Sequence, residues 1–198
     1  MDVLNPDGGR ASFTIPPLPV PDGAAELTLM QQQMHRLTSY RVAETLSAGR
    51  STVSSNYASV APDRSVWAVS GVTNNVWIGS TQYTRVGADQ PWQVNSHVLS
   101  NKVPSFVSDY FAPLSNAHVV GHDMLDGVAT SVVAAFGSRS GTPLWFRFWV
   151  DTAGLVRRVD MDAPGHFMAD MYVQFNAPIR IEAPGGAGGV AATPAVTP

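Results

Sequence analysis

From residue 40 to 175, apolar and polar positions alternate with a period of two, in short runs broken by turn-forming residues. That period puts successive side chains on opposite faces of an extended chain, so each run predicts a strand. The runs are 40–46, 52–60, 66–72, 76–78, 81–86, 117–125, 128–136, 144–150, 156–162 and 166–175. Between them stand Ser47-Ala48-Gly49, Pro62-Asp63, Thr73-Asn74-Asn75, Gly79-Ser80, Asp126-Gly127, Asp151 to Gly154 and Pro164-Gly165. Asp-Gly is a strong signal for a two-residue hairpin. About ten sequential strands joined by hairpins predict an antiparallel meander.

One stretch ahead of the strands changes period. Leu27, Met30, Met34 and Leu37 recur at spacings of three, four and three, which predicts a helix with one apolar stripe. Asp22 is the expected N-cap and Glu26 suits the first turn, and the helix is expected to end near Thr38-Ser39. Pro104 to Leu114 carries Phe106, Val107, Tyr110 and Phe111 at helical spacing, and predicts a second, short helix or lid. Pro91-Trp92-Gln93-Val94 reads as a short apolar interruption.

The ends read differently. Residues 1–23 hold Pro6, Pro16, Pro17, Pro19 and Pro21 with three glycines, which predicts an extended polyproline-like linker. Residues 185–198 are a low-complexity tail. The folded domain is expected at 24–184, a module whose signal or membrane anchor lies outside this chain.

Strand 144–150 is apolar on both sides: Leu144, Phe146, Phe148 and Val150 share one face, Trp145, Arg147 and Trp149 the other. Two arrangements fit. One is a central strand with a helix on one side and a loop on the other. The other is a strongly curved sheet whose concave face lines an apolar cavity partly plugged by the helix.

Composition narrows the function. Apolar residues make up 44%, enough for a core, whereas charged residues are only 14% and the net charge is −3. With no basic surplus to neutralise phosphates, nucleic acid is not an expected partner. The absence of cysteine removes disulfides, thiolate metal sites and cysteine nucleophiles together. No apolar run is long enough for a spanning helix. Catalytic motifs are missing as well. Gly137-Ser138-Arg139-Ser140-Gly141 has arginine where a nucleophile elbow needs serine. Asp123 with Asp126, and Asp160 with Asp162, are the candidate acid/base pairs, but their positions at strand ends and turns explain them structurally. No enzyme activity and no catalytic residue are expected.

The order of elements resembles the LolA/LppX-type bacterial lipoprotein-carrier superfamily over roughly residues 25–184. The resemblance is carried by Leu29 to Glu44 leading into the first strand, Pro62-Asp63-Arg64 and Trp77-Ile78-Gly79 followed by Tyr83-Thr84-Arg85. It continues through Gly121-His122-Asp123-Met124-Leu125-Asp126-Gly127, Trp149-Val150-Asp151, Gly154-Leu155-Val156-Arg157 and Phe175-Asn176-Ala177-Pro178. It departs at His122, where the family usually has an acidic residue. It implies an α+β fold in which a curved antiparallel sheet, an unclosed barrel, is covered by one long and one short helix. It also implies an extracytoplasmic, non-enzymatic role in carrying or sensing lipids or lipoproteins. The expected partner is then a lipid or other apolar small molecule bound by a monomer. Met30, Leu37, Phe106, Tyr110, Phe111, Phe146 and Phe148 are the expected lining, and no cofactor is needed.

Two rival readings remain. His122 and Met124 are two apart on one strand, as are His166 and Met168 on another, so each pair shares a face. Imidazole and thioether suit copper, which makes these four residues a candidate copper site in a metal-handling envelope protein. Five His and seven Met in a chain of this size also produce two such pairs by chance. The other rival is a structural or sensory domain that docks a partner protein through a sheet edge or aromatic face.

Overall fold

The computed structural model describes residues 2–4, 10–12, 19–96 and 113–184. Along the chain come β1 (Asp2–Leu4), β2 (Arg10–Ser12), α1 (Ala24–His35), β3 (Ser39–Ala48), β4 (Ser51–Val60), β5 (Arg64–Val69), β6 (Thr73–Ile78) and β7 (Thr81–Val86). They are followed by β8 (Gln93–Asn95), β9 (Ser115–Leu125), β10 (Val128–Arg139), β11 (Thr142–Asp151), β12 (Val156–Ala163) and β13 (His166–Val173). Strands β3 to β13 form one antiparallel sheet in the order β8-β7-β6-β5-β4-β3-β13-β12-β11-β10-β9. The two end strands do not pair, so the sheet is an unclosed barrel, and its architecture is the one the sequence predicts.

The ten expected strands are all present, and the differences have local causes. β8 is an eleventh strand of three exposed residues, too short for alternation to reveal, paired with residues 82–84 of β7. β13 stops at Val173 because Gln174 and Asn176 adopt left-handed backbone, with φ of 56° and 53°. Within the residues 1–23 expected as a linker, β1 and β2 pair with each other. Pro21 to Gly23 also pair with the edge strand β9: Val119 N donates to Pro21 O and Gly23 N to Ala117 O. They blunt an edge that would otherwise be open. The expected second helix falls mostly on residues 97–112, outside the described residues.

The expected N-cap, Asp22, stands one residue ahead of the actual one. Asp22 Oδ1 accepts the Ala24 amide at 3.0 Å, while Gly23 is the N-cap residue. The helix ends at His35, earlier than its apolar stripe. Leu27, Met30 and Met34 are buried, and Leu37 packs against the same core from beyond the last turn. Thr38 then donates to Asn176 Oδ1 from both its amide and its hydroxyl, at 2.8 and 3.0 Å, which ties the α1–β3 corner to the end of β13.

The cross-strand register assigns every side chain to a face. Phe148, Val159, Asp170, Glu44 and Ser55 stand opposite one another in sequence across β11, β12, β13, β3 and β4. Tyr172, Val42, Tyr57, Trp67 and Asn75 form a neighbouring row from β13 to β6. These rows lie on the inner, α1-covered face, whose core joins α1 to Val133, Phe146, Phe148, Val150, Val156, Val159 and Met161. On the outer face the row Ala58, Val66, Val76 and Tyr83 belongs to a second, smaller core. Ile179 and Ile181 close it from the C-terminal segment, held where Arg64 Nη1 donates to Ile181 O at 2.8 Å. The outer face of β11 is aromatic for another reason. Trp149 lies beneath the guanidinium groups of Arg147 and Arg158, 5.7 and 4.8 Å from its ring, and donates to Asp123 Oδ2 at 3.0 Å.

Gly154 sets the height of α1 above the sheet. It has φ +82°, and a Cβ there would lie 2.9 Å from Leu29 Cγ and from Gln33 Cγ. Gly154→Ala is expected to combine left-handed strain with a shifted helix and cost about 1–3 kcal/mol. Gly127→Ala, at φ +78° with open space around it, meets only the strain and is expected to cost about 1 kcal/mol. Urea titrations of the two variants check this, and equal losses would refute the close-approach argument.

Candidate functional site

Met30, Leu37, Phe146 and Phe148, expected to line a ligand cavity, all come together in the inner-face core. Met30 and Phe148 are 0% exposed, and the rings of Phe146 and Phe148 stack at 5.5 Å. Met30, Phe146 and Phe148 are buried in that core, and Leu37 packs against it from a partly buried position. Phe106, Tyr110 and Phe111, the other expected lining residues, lie outside the described residues.

Open space lies beside that core. A cavity of about 610 Å³, open to solvent, is lined by His122, Asp123, Met124, Ala129, Thr130, Ser131, Val150, Asp151 and Thr152. Its shape follows from the β9–β10 hairpin. Asp126 and Gly127, at φ 49° and 78°, make the tight turn their sequence predicts, and Met124 and His122 then pair with Ala129 and Ser131. On the opposite side, Asp151 Oδ1 accepts the amides of Ala153 and Leu155 at 2.9 Å, and its Oδ2 is held by Arg157. Val150, one residue earlier, continues the apolar core into the cavity wall.

The four metal candidates are not assembled into one site. His122 and Met124 lie on β9, at the sheet edge, while His166 and Met168 lie on β13, with β10, β11 and β12 in between. At about 4.8 Å per strand the pairs stand roughly 19 Å apart along the sheet, far beyond the span of one metal ion. Each pair supplies one imidazole and one thioether, and Met168 is buried in the core. Among the described residues no group of three or more His, Asp or Glu side chains is placed to hold a metal.

The carboxylate pairs also resolve structurally. Asp160 is engaged by Arg158 at 2.7 Å and Arg147 at 3.3 Å, and Asp162 lies 3.9 Å from Arg147. Asp123 receives the Trp149 indole and the Met124 amide, and Asp126 occupies the hairpin turn. The Gly137 to Gly141 stretch is the β10–β11 hairpin, with Ser140 and Gly141 at φ 51° and 83°.

The sequence reading missed a polar tract on the inner face. Asp170 stands directly opposite Glu44 across the β13–β3 pair. Asp170 is 4% exposed, and its Oδ1 has no hydrogen-bond partner. Burial, then the nearby charges of Glu44 and Asp160, hold its carboxyl well above the usual carboxylate range. Glu44 is half-buried and accepts the Tyr57 hydroxyl at 2.7 Å. Burial, that hydrogen bond and the Glu44 charge push the Tyr57 phenol up. Burial and the Asp170 charge do the same to Tyr172. Tyr57 stacks on Trp67 at 5.8 Å, whose indole N–H is buried without a partner. Asn75 Oδ1 accepts from Thr84 and Gln82 at 2.9 and 3.2 Å. One signal was available: Asp170 shares its alternation parity with Met168 and Tyr172, which places it among inward-facing residues.

Two solved structures share this fold. LprF from Mycobacterium bovis is 16% identical, with a TM-score of 0.59, and the match covers 84% of this chain and all of LprF. The Mycobacterium tuberculosis lipoprotein LppX is also 16% identical, with a TM-score of 0.52 over 80% of this chain and 97% of LppX. The fold is therefore LppX-like, as the resemblance in the sequence implies. No family model and no curated protein matches the sequence.

Proposed function

We propose that the chain is a non-enzymatic, extracytoplasmic domain that binds a lipid or other apolar ligand on the inner face of its half-barrel. The observation that carries this reading is the open cavity continuous, through Val150, with an apolar core of which α1 forms one wall. The LppX-like fold supports it, since the sheet is left unclosed, with β8 and β9 as its two end strands. In this reading the ligand enters by the cavity and its chain lies against Phe146, Phe148, Met30 and Leu37 as α1 yields. Burial at about 25 cal/mol per Å² gives a long acyl chain several kcal/mol of net binding after the costs of ordering are met. Among the described residues no helix is long and apolar enough to cross a membrane.

Native mass spectrometry of gently purified protein tests the reading. The expected spectrum shows an added mass that organic extraction removes. Ala129 is exposed on the cavity wall, so Ala129→Trp is expected to lower the liganded fraction while leaving the unfolding midpoint unchanged. A bare-chain spectrum from protein expressed in a lipid-rich bacterial envelope would overturn it.

A further inference from the structure

Building on the apolar-ligand reading, we propose that Glu44 and Asp170 bind a protonated amine, the polar end of an amphiphile whose chain lies along the inner face. The two residues stand directly opposite on adjacent strands of one face. That arrangement brings Cβ atoms within about 4.5–5.5 Å, so one ammonium can reach both carboxylates. Asp170 is nine-tenths buried and carries an oxygen with no partner. Tyr57 occupies Glu44 Oε1 and so orients that carboxylate from β4.

The surroundings select a cation over a neutral donor. The inward positions of β13, β3, β4 and β5 among the described residues hold no Arg or Lys, and Arg157, which shares the parity of Val159 on β12, is paired with Asp151. The other titratable groups facing it are Tyr57, Tyr172 and Tyr40, with Asp160 acting through β12 from the outer face. An ammonium brings three donors and a compact positive charge, whereas a hydroxyl brings one donor and no charge. The stacked Tyr57–Trp67 pair adds aromatic faces beside the site. Half-buried Glu44 is the accessible member, through which the head group arrives. The same row runs on into the apolar core that α1 covers: Asp170 stands opposite Val159, and Val159 opposite Phe148.

Calorimetric titration with dodecylamine and 1-dodecanol, matched in chain length and kept below micellisation, tests the assignment at pH 7. The amine is expected to bind at least about tenfold more tightly than the alcohol. That preference is expected to vanish in Glu44→Gln and Asp170→Asn and to persist in Asp89→Asn, which removes an exposed charge elsewhere. Equal binding of amine and alcohol by the unaltered protein overturns the amine site and leaves the apolar-ligand reading standing. Binding of neither overturns both. An amine preference that survives Glu44→Gln, or falls equally in Asp89→Asn, reduces the effect to overall charge and also overturns the site. Circular dichroism verifies folding, and Glu44→Gln, at the more exposed position, gives the same reading if Asp170→Asn does not fold.

Discussion

Phe148→Ala is expected to lower the unfolding free energy by about 3–5 kcal/mol, the largest loss from any single truncation considered for this domain. The ring is 0% exposed, stacks on Phe146 at 5.5 Å and stands opposite Val133 on β10 and Val159 on β12, both also 0% exposed. Removing it takes away apolar burial and leaves a void ringed by residues on three strands, whose backbones are held by the sheet ladder and cannot close in. Phe136→Ala is the control. That ring is 39% exposed on the outer face, in edge contact with Trp145, and its loss is expected to cost about 1 kcal/mol. Urea unfolding of both variants measures the contrast. If the two losses are alike, the inner face is not the main source of stability, and the assignment of the core fails.

Asp170→Asn is expected to change the pH dependence of stability, in a direction set by the raised carboxyl. The folded chain holds the Asp170 proton to a higher pH than the unfolded chain, whose aspartates titrate near 3.9. Below that value both states are protonated and the folded state carries no penalty from this group. As pH rises from there through the folded pKa, the unfolded state releases its proton first. Stability is then lost with a slope of at most about 1.4 kcal/mol per pH unit, levelling off once both states are ionised. Asparagine cannot titrate, so the variant lacks this loss. Its stability relative to the unaltered protein should rise with pH from about 4 and then plateau, by an amount that reports the cost of burying the charge without a cation. Chemical unfolding at a series of pH values provides the test. Parallel curves for the two proteins would show that Asp170 titrates normally.

The strands were legible because each one is half-buried on a twisted sheet, which imposes a period of two on the chain. Asp126-Gly127 was legible for a related reason: a tight hairpin needs left-handed backbone at two positions, and these residue types tolerate it. That Met30, Leu37, Phe146 and Phe148 share one core was legible, because apolar parity on β11 and helical periodicity on α1 each point to it. Nothing local distinguishes a side chain packed in that core from one facing an open cavity. The cavity is walled instead by His122, Met124, Ala129, Ser131 and Val150, from three strands. The metal pairs failed to assemble for the same reason: spacing within a strand fixes a face, while the number of strands between two pairs depends on topology.

Alternation, turn chemistry and one helical stripe thus determined, from residue order alone, an antiparallel meander preceded by a helix, and which residues on each strand share a side. These are short-range properties, set by backbone sterics and burial within a few residues. Only the tertiary structure decided which strands became neighbours across the gap in sequence, and so placed Glu44 of β3 against Asp170 of β13. It also decided that Ile179 and Ile181 close a second core on the outer face. Pairing between strands more than a hundred residues apart depends on the balance of loop closure and burial over the whole sheet, and no local pattern encodes it.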